Sequence, residues 1–325
     1  MGARGKTAEQ LKNILKLNGS DEHIEEDFKV VTSQLNGAKD VTIKTAIKAY
    51  LAEGIPIETE FQRVATEYFD AEVQNINFKD SMKAINSINS WVEKKTENKI
   101  KNLLQEGSID ESTRFIFIDT LYYLGHFLNP FEIWATQKKD FYLSKTRTVK
   151  VDMMQLSANV LFSRDATIGV NMIALPYQDP KAQLLIILPD SIERTGIVET
   201  YVMKMWQNRN FTNQYVKIFL PKFKVKTTFD FIPTLKKMGI TELFNTPDLS
   251  GITKEKIALS SITQKTIIDV NEFGTEAASA TSIHFVPTSL VVHSGEPILF
   301  NVDRPFIFAV LYDGLCILAG RVEKP

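Results

Sequence analysis

The side chains that could do chemistry are few and poorly spaced for it. Four histidines, His23, His126, His284 and His293, are scattered and form no HExxH or other metal-ligand pattern. The one thiol, Cys316, lies in a strongly apolar stretch and reads as a small buried hydrophobe. A single cysteine also excludes an internal disulfide framework and a multi-cysteine zinc site. His126, beside Phe127, reads as a structural histidine, and the pair Glu25-Glu26 falls on a solvated helix face. There is no GxSxG elbow, no GxGxxG after a strand and no phosphate-cradling GxxxxGK followed by Ser or Thr. A hydrolase or transferase therefore has no nucleophile or base to name. Neither a metal nor a cofactor is expected.

The unusual chemistry is an absence of charge. Residues 277–295 (AASATSIHFVPTSLVVHSG) contain no Asp, Glu, Lys or Arg. Pro287, two histidines and several hydroxyl side chains make the stretch too polar to span a membrane. It follows a strand ending at Glu272-Phe273-Gly274 and precedes one starting near Pro297, a connection long enough to be functional or disordered. Its β-branched and aromatic content is odd for a disordered linker. Taken with period two from Thr275, one face holds Thr275, Ala277, Ser279, Thr281, Ile283 and Phe285, none of them charged and the first four small. Such a segment could enter a sheet as a new strand without burying a charge. Glu276 falls on the other face, and Gly274, lacking a Cβ, is suited to act as the hinge.

The elements that must position this segment can be read along the chain. The chain has 325 residues, 38 Lys+Arg against 39 Asp+Glu, and a net charge of -1, which suits a globular protein and not a dedicated nucleic-acid binder. Length alone allows two domains, but no linker or repeat divides the chain, so one α+β domain over 1–325 is expected. Helices are expected over 7–17, 21–35 and 57–69, and again around Met82–Val92. Strands are expected at 40–52, in AEVQNINF, and in TRFIFIDTLYYL, whose unbroken apolar run suits a covered central strand. NMIALPYQ and LLIILP read as a pair, and KIFLPKFKV as a strand bent at Pro221. FDFIPTLKKMGI reads as a helix stopped by Gly239, and SSITQKTIIDVNE as a strand with Ile262, Ile267 and Val270 alternating. ILFNVDRPFIFAVLYDGLCILAGRV reads as a hairpin turning at Asp313-Gly314. The first residues carry no signal-peptide core.

At these residues the chain resembles the serpin family of protease inhibitors. VNEFGTEAASATS resembles the family's hinge before the reactive-centre loop, and FNVDRPFIFAV its C-terminal signature. MGITELFNTPDLSGIT and INSWVEKKTENKIKNLL resemble two further family segments, in the family's order. The resemblance implies an α+β fold with a large central mixed sheet, further sheets, surrounding helices and an exposed reactive-centre loop at about 275–296. It implies a suicide substrate: a serine or cysteine protease attacks the loop, and the hinge then inserts into the sheet and traps the acyl-enzyme. The hinge would comprise Glu272, Gly274, Thr275, Glu276, Ala277, Ala278, Ser279 and Ala280. The family's hinge-to-bond spacing places the scissile bond between Thr288 and Ser289, with Phe285 or Leu290 as the specificity residue in another register. Thr288 suits a shallow elastase-type pocket, Phe285 and Leu290 a chymotrypsin-like enzyme, and the absence of Lys and Arg disfavours a trypsin-like one.

Departures from the family pattern carry further expectations. In FIDTLYYLGHFLNPF, Asp119 stands where the family has Asn and Phe127 where it has Trp. Gln264 stands where a histidine normally bonds that Asn, so Asp119 and Gln264 are expected to pair in the region where the sheet opens. Residues 2–17 resemble the end of the family's second helix and its third, and the pieces before them have no counterpart in the sequence, which could impair inhibition. Asp21, Glu22, Glu25, Glu26 and Asp27 make the second helix repulsive to heparin. A monomer is expected, with a protease partner, no nucleic acid and no membrane. The resemblance favours an extracellular site, and the lack of a signal peptide leaves a cytoplasmic one open. The alternative is a non-inhibitory relative acting as a binding, carrier or chaperone-like protein, a class that large or charged hinge residues would favour. Ala277 to Ala280 point the other way.

Overall fold

The computed structural model describes residues 1–200, 210–275 and 296–325. The residues group into two compact units, each threaded by several stretches of chain. The first comprises Met1–Ala38, Ile43–Tyr122 and Lys226–Ile267, and the second Lys39–Thr42, Tyr123–Val225 and Ile268–Pro325.

The first unit holds the helices α1 (Gly5–Ile14), α2 (Asp21–Asn36), α3 (Thr59–Phe69) and α4 (Ser81–Lys95). Local chemistry sets their ends. The Ser20 hydroxyl accepts the His23 amide at 3.3 Å to cap α2, whose first turn carries Asp21 and Glu22 against the helix dipole. Asp80 caps α4 through the Lys83 amide at 3.2 Å, and Lys94 and Lys95 sit in its last turn. Two short helices follow, α5 (Ile232–Lys237) and α6 (Glu242–Asn245). Phe229 and Asp230, expected in the first of these, instead end a strand, because Pro233 fits the opening turn of a helix and Asp230 bonds the Ile232 amide at 3.0 Å.

Strands β1 (Val41–Ala52), β2 (Ala71–Ile76), β3 (Phe115–His126), β9 (Phe223–Asp230) and β10 (Ser261–Asn271) make a mixed sheet. Within the first unit β1 and β2 run parallel, and so do β3 and β10, which pair directly from Ile116 opposite Ser261 to Tyr122 opposite Ile267. One face of α4, through Ile85, Ile88 and Val92, packs on Tyr50, Ile116 and Ile118. A charged knot fixes the same helix. Glu72 bonds Lys48 at 2.8 Å, Lys95 at 2.7 Å and the Trp91 indole N–H at 3.0 Å, and Lys48, only 5% exposed, lies 4.9 Å from the Trp91 ring centroid.

The second unit holds an eight-stranded sheet ordered β12-β8-β5-β6-β7-β13-β14, with β4 also paired to β5. These strands are β4 (Gln137–Ser144), β5 (Arg147–Asp165), β6 (Val170–Pro176), β7 (Ala182–Pro189), β8 (Thr212–Pro221), β12 (Ile298–Asn301), β13 (Phe306–Tyr312) and β14 (Leu315–Val322). Every residue of β13 is buried, as an unbroken apolar run demands when both faces are covered. Pro221 ends β8, where the chain leaves this sheet for β9, as its missing donor requires. The last hairpin turns at Asp313 and Gly314, both with positive φ, in the manner of a type I′ turn.

Two expectations fail here. ILFN is not part of that hairpin: β12 pairs in parallel with β8, and Pro305 separates it from β13. Cys316 is exposed, not buried: it lies on β14, where only Val322 is buried, so the strand's apolar side chains are not covered as an apolar run suggests.

Candidate functional site: the hinge strand and its cradle

In the second unit the ends of β3 and β10 no longer pair with each other. The two-residue strand β11 (Gly274–Thr275) lies between them, antiparallel to both: Gly274 opposes His126 and Asn271, and Thr275 opposes Gly125 and Val270. Gly274 is required there. Its φ is +145°, and a Cβ would stand 2.0 Å from the Gly125 carbonyl oxygen. Gly125 is needed from the other side, since a Cβ on it would meet the Tyr123 hydroxyl and the Tyr177 ring, each at 2.9 Å.

Thr275 is fully buried, and its hydroxyl lies 2.5 Å from that of Tyr177. Burial raises the Tyr177 phenol well above its ordinary pKa despite that bond, so the pair is neutral. The Tyr177 ring stacks on Phe127 at 5.1 Å and meets Tyr123 edge-on at 5.3 Å, while Phe127 meets Phe131 at 5.9 Å. Phe127 is thus a buried wall of the cradle.

Glu272 anchors the strand's entry. It is buried, accepts the Thr136 hydroxyl at 2.9 Å and pairs with Lys222 at 3.0 Å. Burial pushes its carboxyl pKa up, but its own backbone amide, Lys222 and Thr136 outweigh that and hold it below the usual range. The Glu272 and Phe273 carbonyls accept the amides of Phe131 and Phe127, both at 2.8 Å.

The first unit carries the expected polar pair. Asp119 and Gln264 are register partners across β3 and β10, and the Gln264 side-chain amide donates to the Asp119 carboxylate. Burial raises the Asp119 pKa, partly offset by Gln264 and the Thr120 amide.

The structure thus brings Glu272, Gly274 and Thr275 together around Phe127, and pairs Asp119 with Gln264. Glu276, Ala277, Ala278, Ser279, Ala280, Phe285, Thr288, Ser289 and Leu290 lie outside the described residues. Tyr177, Thr136 and Lys222 were not anticipated, and nothing in their local sequence marks them. Among the described residues no group of three His, Cys, Asp or Glu side chains could hold a metal ion, and no helix is long and apolar enough to cross a membrane. Among the described residues, the one ionised pair at the cradle, Glu272 with Lys222, is engaged in anchoring the strand. The cradle is built to hold an uncharged strand.

Comparisons with known proteins agree with this geometry. The family model described as "Serpin (serine protease inhibitor)" matches residues 1–325. Alaserpin of Manduca sexta is 33% identical over 331 aligned positions, covering 99% of this chain and 83% of the relative. The crystal structure of Serpin48, described as a highly specific serpin in the insect Tenebrio molitor, superposes with a TM-score of 0.91 at 36% identity, covering 100% of this chain and 87% of that one. Human thyroxine-binding globulin, crystallised with its hormone, superposes with a TM-score of 0.88 at 25% identity, covering 100% and 87% of the two chains.

Proposed function

Because the chain belongs to the serpin family, we propose that it inhibits a protease by offering the segment 276–295 as a substrate and inserting the cut segment between β3 and β10. The observation that carries this reading is β11. Thr275 is already buried between the two strands, and the residues that follow it on the same face, Ala277, Ser279 and Thr281, are small and uncharged. In the proposed reaction the protease's nucleophile attacks the Thr288 carbonyl carbon, the Thr288–Ser289 bond breaks, and the Ser289 amine leaves with the proton. Thr288 remains as an acyl group on the protease. Each further residue that enters the sheet then draws the acylated enzyme along.

Thr288 favours an elastase-like target, and Phe285 or Leu290 a chymotrypsin-like one, because 277–295 offers no cation to an acidic pocket. The partner is a serine protease, or a cysteine protease that uses the same acyl chemistry. The chain is read as an extracellular monomer on the family resemblance. The five carboxylates of α2, from Asp21 to Asp27, stand against binding of sulfated polysaccharide there.

The test is incubation with elastase-, chymotrypsin- and trypsin-like proteases, followed by denaturing electrophoresis. An SDS-stable complex with one of the first two, and a released fragment beginning at Ser289, are expected. Cleavage without a complex overturns the inhibitory reading. It would leave the carrier role that the likeness to thyroxine-binding globulin supports.

A further inference from the structure

Four large apolar side chains of the second unit stand mostly in solvent beside the two ends of 276–295. Trp134 is 73% exposed, Leu299 65%, Leu128 57% and Ile133 52%. An exposed tryptophan on a soluble surface is unusual, and apolar groups gathered in one region mark contact sites more often than chance.

Trp134 and Ile133 sit on the short turn Ile133–Ala135, closed by the Ala135 amide to Glu132 at 3.0 Å and the Thr136 amide to Ile133 at 3.2 Å. Both sides of the turn are tied down: Phe131 is buried, and Thr136 bonds Glu272. A tryptophan held this way is presented with little ordering entropy left to lose on binding. The same stretch is bonded to the hinge, since Phe127 and Phe131 donate to Phe273 and Glu272, the residues just before β11. At the other end, β12 starts at Ile298, and Leu299 lies opposite Lys217 of β8. The Glu132 amide reaches Gln155 of β5, Gln155 opposes Phe219 of β8, and Phe219 opposes Asn301 of β12. Three strand steps therefore separate the turn from β12, about 14 Å at the usual spacing. Charged groups stand at the margins: Glu132 is exposed next to Ile133, Lys217 lies opposite Leu299, and Lys138 is paired with Asp152 at 3.0 Å.

We propose that Trp134, Ile133 and Leu128, with Leu299 across the sheet, form a second docking surface for the protease whose active site takes 276–295. This rests on the inhibitory reading above. The partner is committed by position: on the inhibitory reading the protease works on the residues between Thr275 and Glu296, and these side chains flank the described ends of that stretch. The contact it makes is apolar, with Trp134 as the anchor.

The test compares the wild type with Trp134→Ala and the double variant Ile133→Ser/Trp134→Ala, using pancreatic chymotrypsin and pancreatic elastase. The second-order rate of covalent complex formation, the stoichiometry and the melting temperature are measured at low and high salt. Trp134→Ala is expected to slow capture of at least one protease tenfold or more, with stoichiometry and melting unchanged and little effect of salt. Equal rates with both proteases overturn the docking surface and leave the inhibitory reading standing. A wild type that captures neither protease removes the inhibitory reading, and the docking surface with it. Size-exclusion chromatography adds one outcome: a wild-type dimer that becomes a monomer in Trp134→Ala would assign the patch to a second copy of the chain and overturn the proposal.

Discussion

The hydroxyls of Tyr177 and Thr275 meet at 2.5 Å, and both residues are fully buried. Tyr177→Phe leaves the Thr275 hydroxyl buried without its partner and should destabilise the intact protein by about 1–2 kcal/mol. Equilibrium unfolding of the uncut chain checks this. Thr275→Arg puts a long charged side chain into a slot that Thr275 fills with no exposure to water. The variant should still be cleaved in 276–295 but form no covalent complex, and electrophoresis after protease treatment separates the two outcomes.

Asp119→Asn should stabilise the protein at neutral pH, by an amount on the order of 1 kcal/mol, because an amide meets Gln264 without the cost of a half-buried charge. The sign of the pH effect follows from the raised pKa of Asp119. The folded state holds this proton more tightly than the unfolded one, so the group's contribution is greatest below the unfolded value, about 3.9, and is lost as pH rises through the folded value. The difference between wild type and Asp119→Asn should therefore shrink on acidification. Chemical denaturation from pH 7 down to pH 4 measures it.

Glu72→Gln removes the counter-charge of the buried Lys48 and should cost about 1–3 kcal/mol, discounted because Glu72 itself is partly in water. Burial opposes ionisation of Glu72, but the bonds from Lys48 and Lys95 prevail and depress its pKa to about 2. The stability it contributes is complete above the unfolded value, about 4.3, and disappears as pH falls toward 2. Thermal melts of wild type and Glu72→Gln should converge in that window.

Lys222→Ala strands the Glu272 carboxylate, which keeps only the Thr136 hydroxyl and its backbone amide. A loss of about 1–3 kcal/mol is expected, discounted because Lys222 itself is partly in water. The depressed pKa of Glu272 means that the contribution of the pair is present above about 4.3 and fades as pH falls through the folded value. Unfolding midpoints of the two proteins at pH 7 and pH 3 should differ at the first and approach each other at the second.

Much of this arrangement is written locally. The Asp313-Gly314 turn and the covered run of β3 follow from neighbouring residues, and each appears where its chemistry puts it. The bond from Gln264 to Asp119 was expected for a different reason, from the family resemblance and not from any local pattern, and the two residues do pair across β3 and β10. The cradle was not legible. Thr136 and Glu272 meet across 136 positions of sequence, and Tyr177 and Thr275 across 98, so no window of sequence contains both halves of either contact. The error over Cys316 has the same root, because an apolar run does not reveal whether distant parts of the chain cover the faces of its strand.

The direct pairing of β3 with β10 from Ile116–Ser261 to Tyr122–Ile267 has a consequence for supply. On the proposed mechanism a strand entering there would break one backbone ladder and make two, which would favour the inserted state. Each molecule would act once. The quantity of protease removed would then follow the number of copies made, and a tissue or fluid could raise its protection only by synthesis, never by turnover.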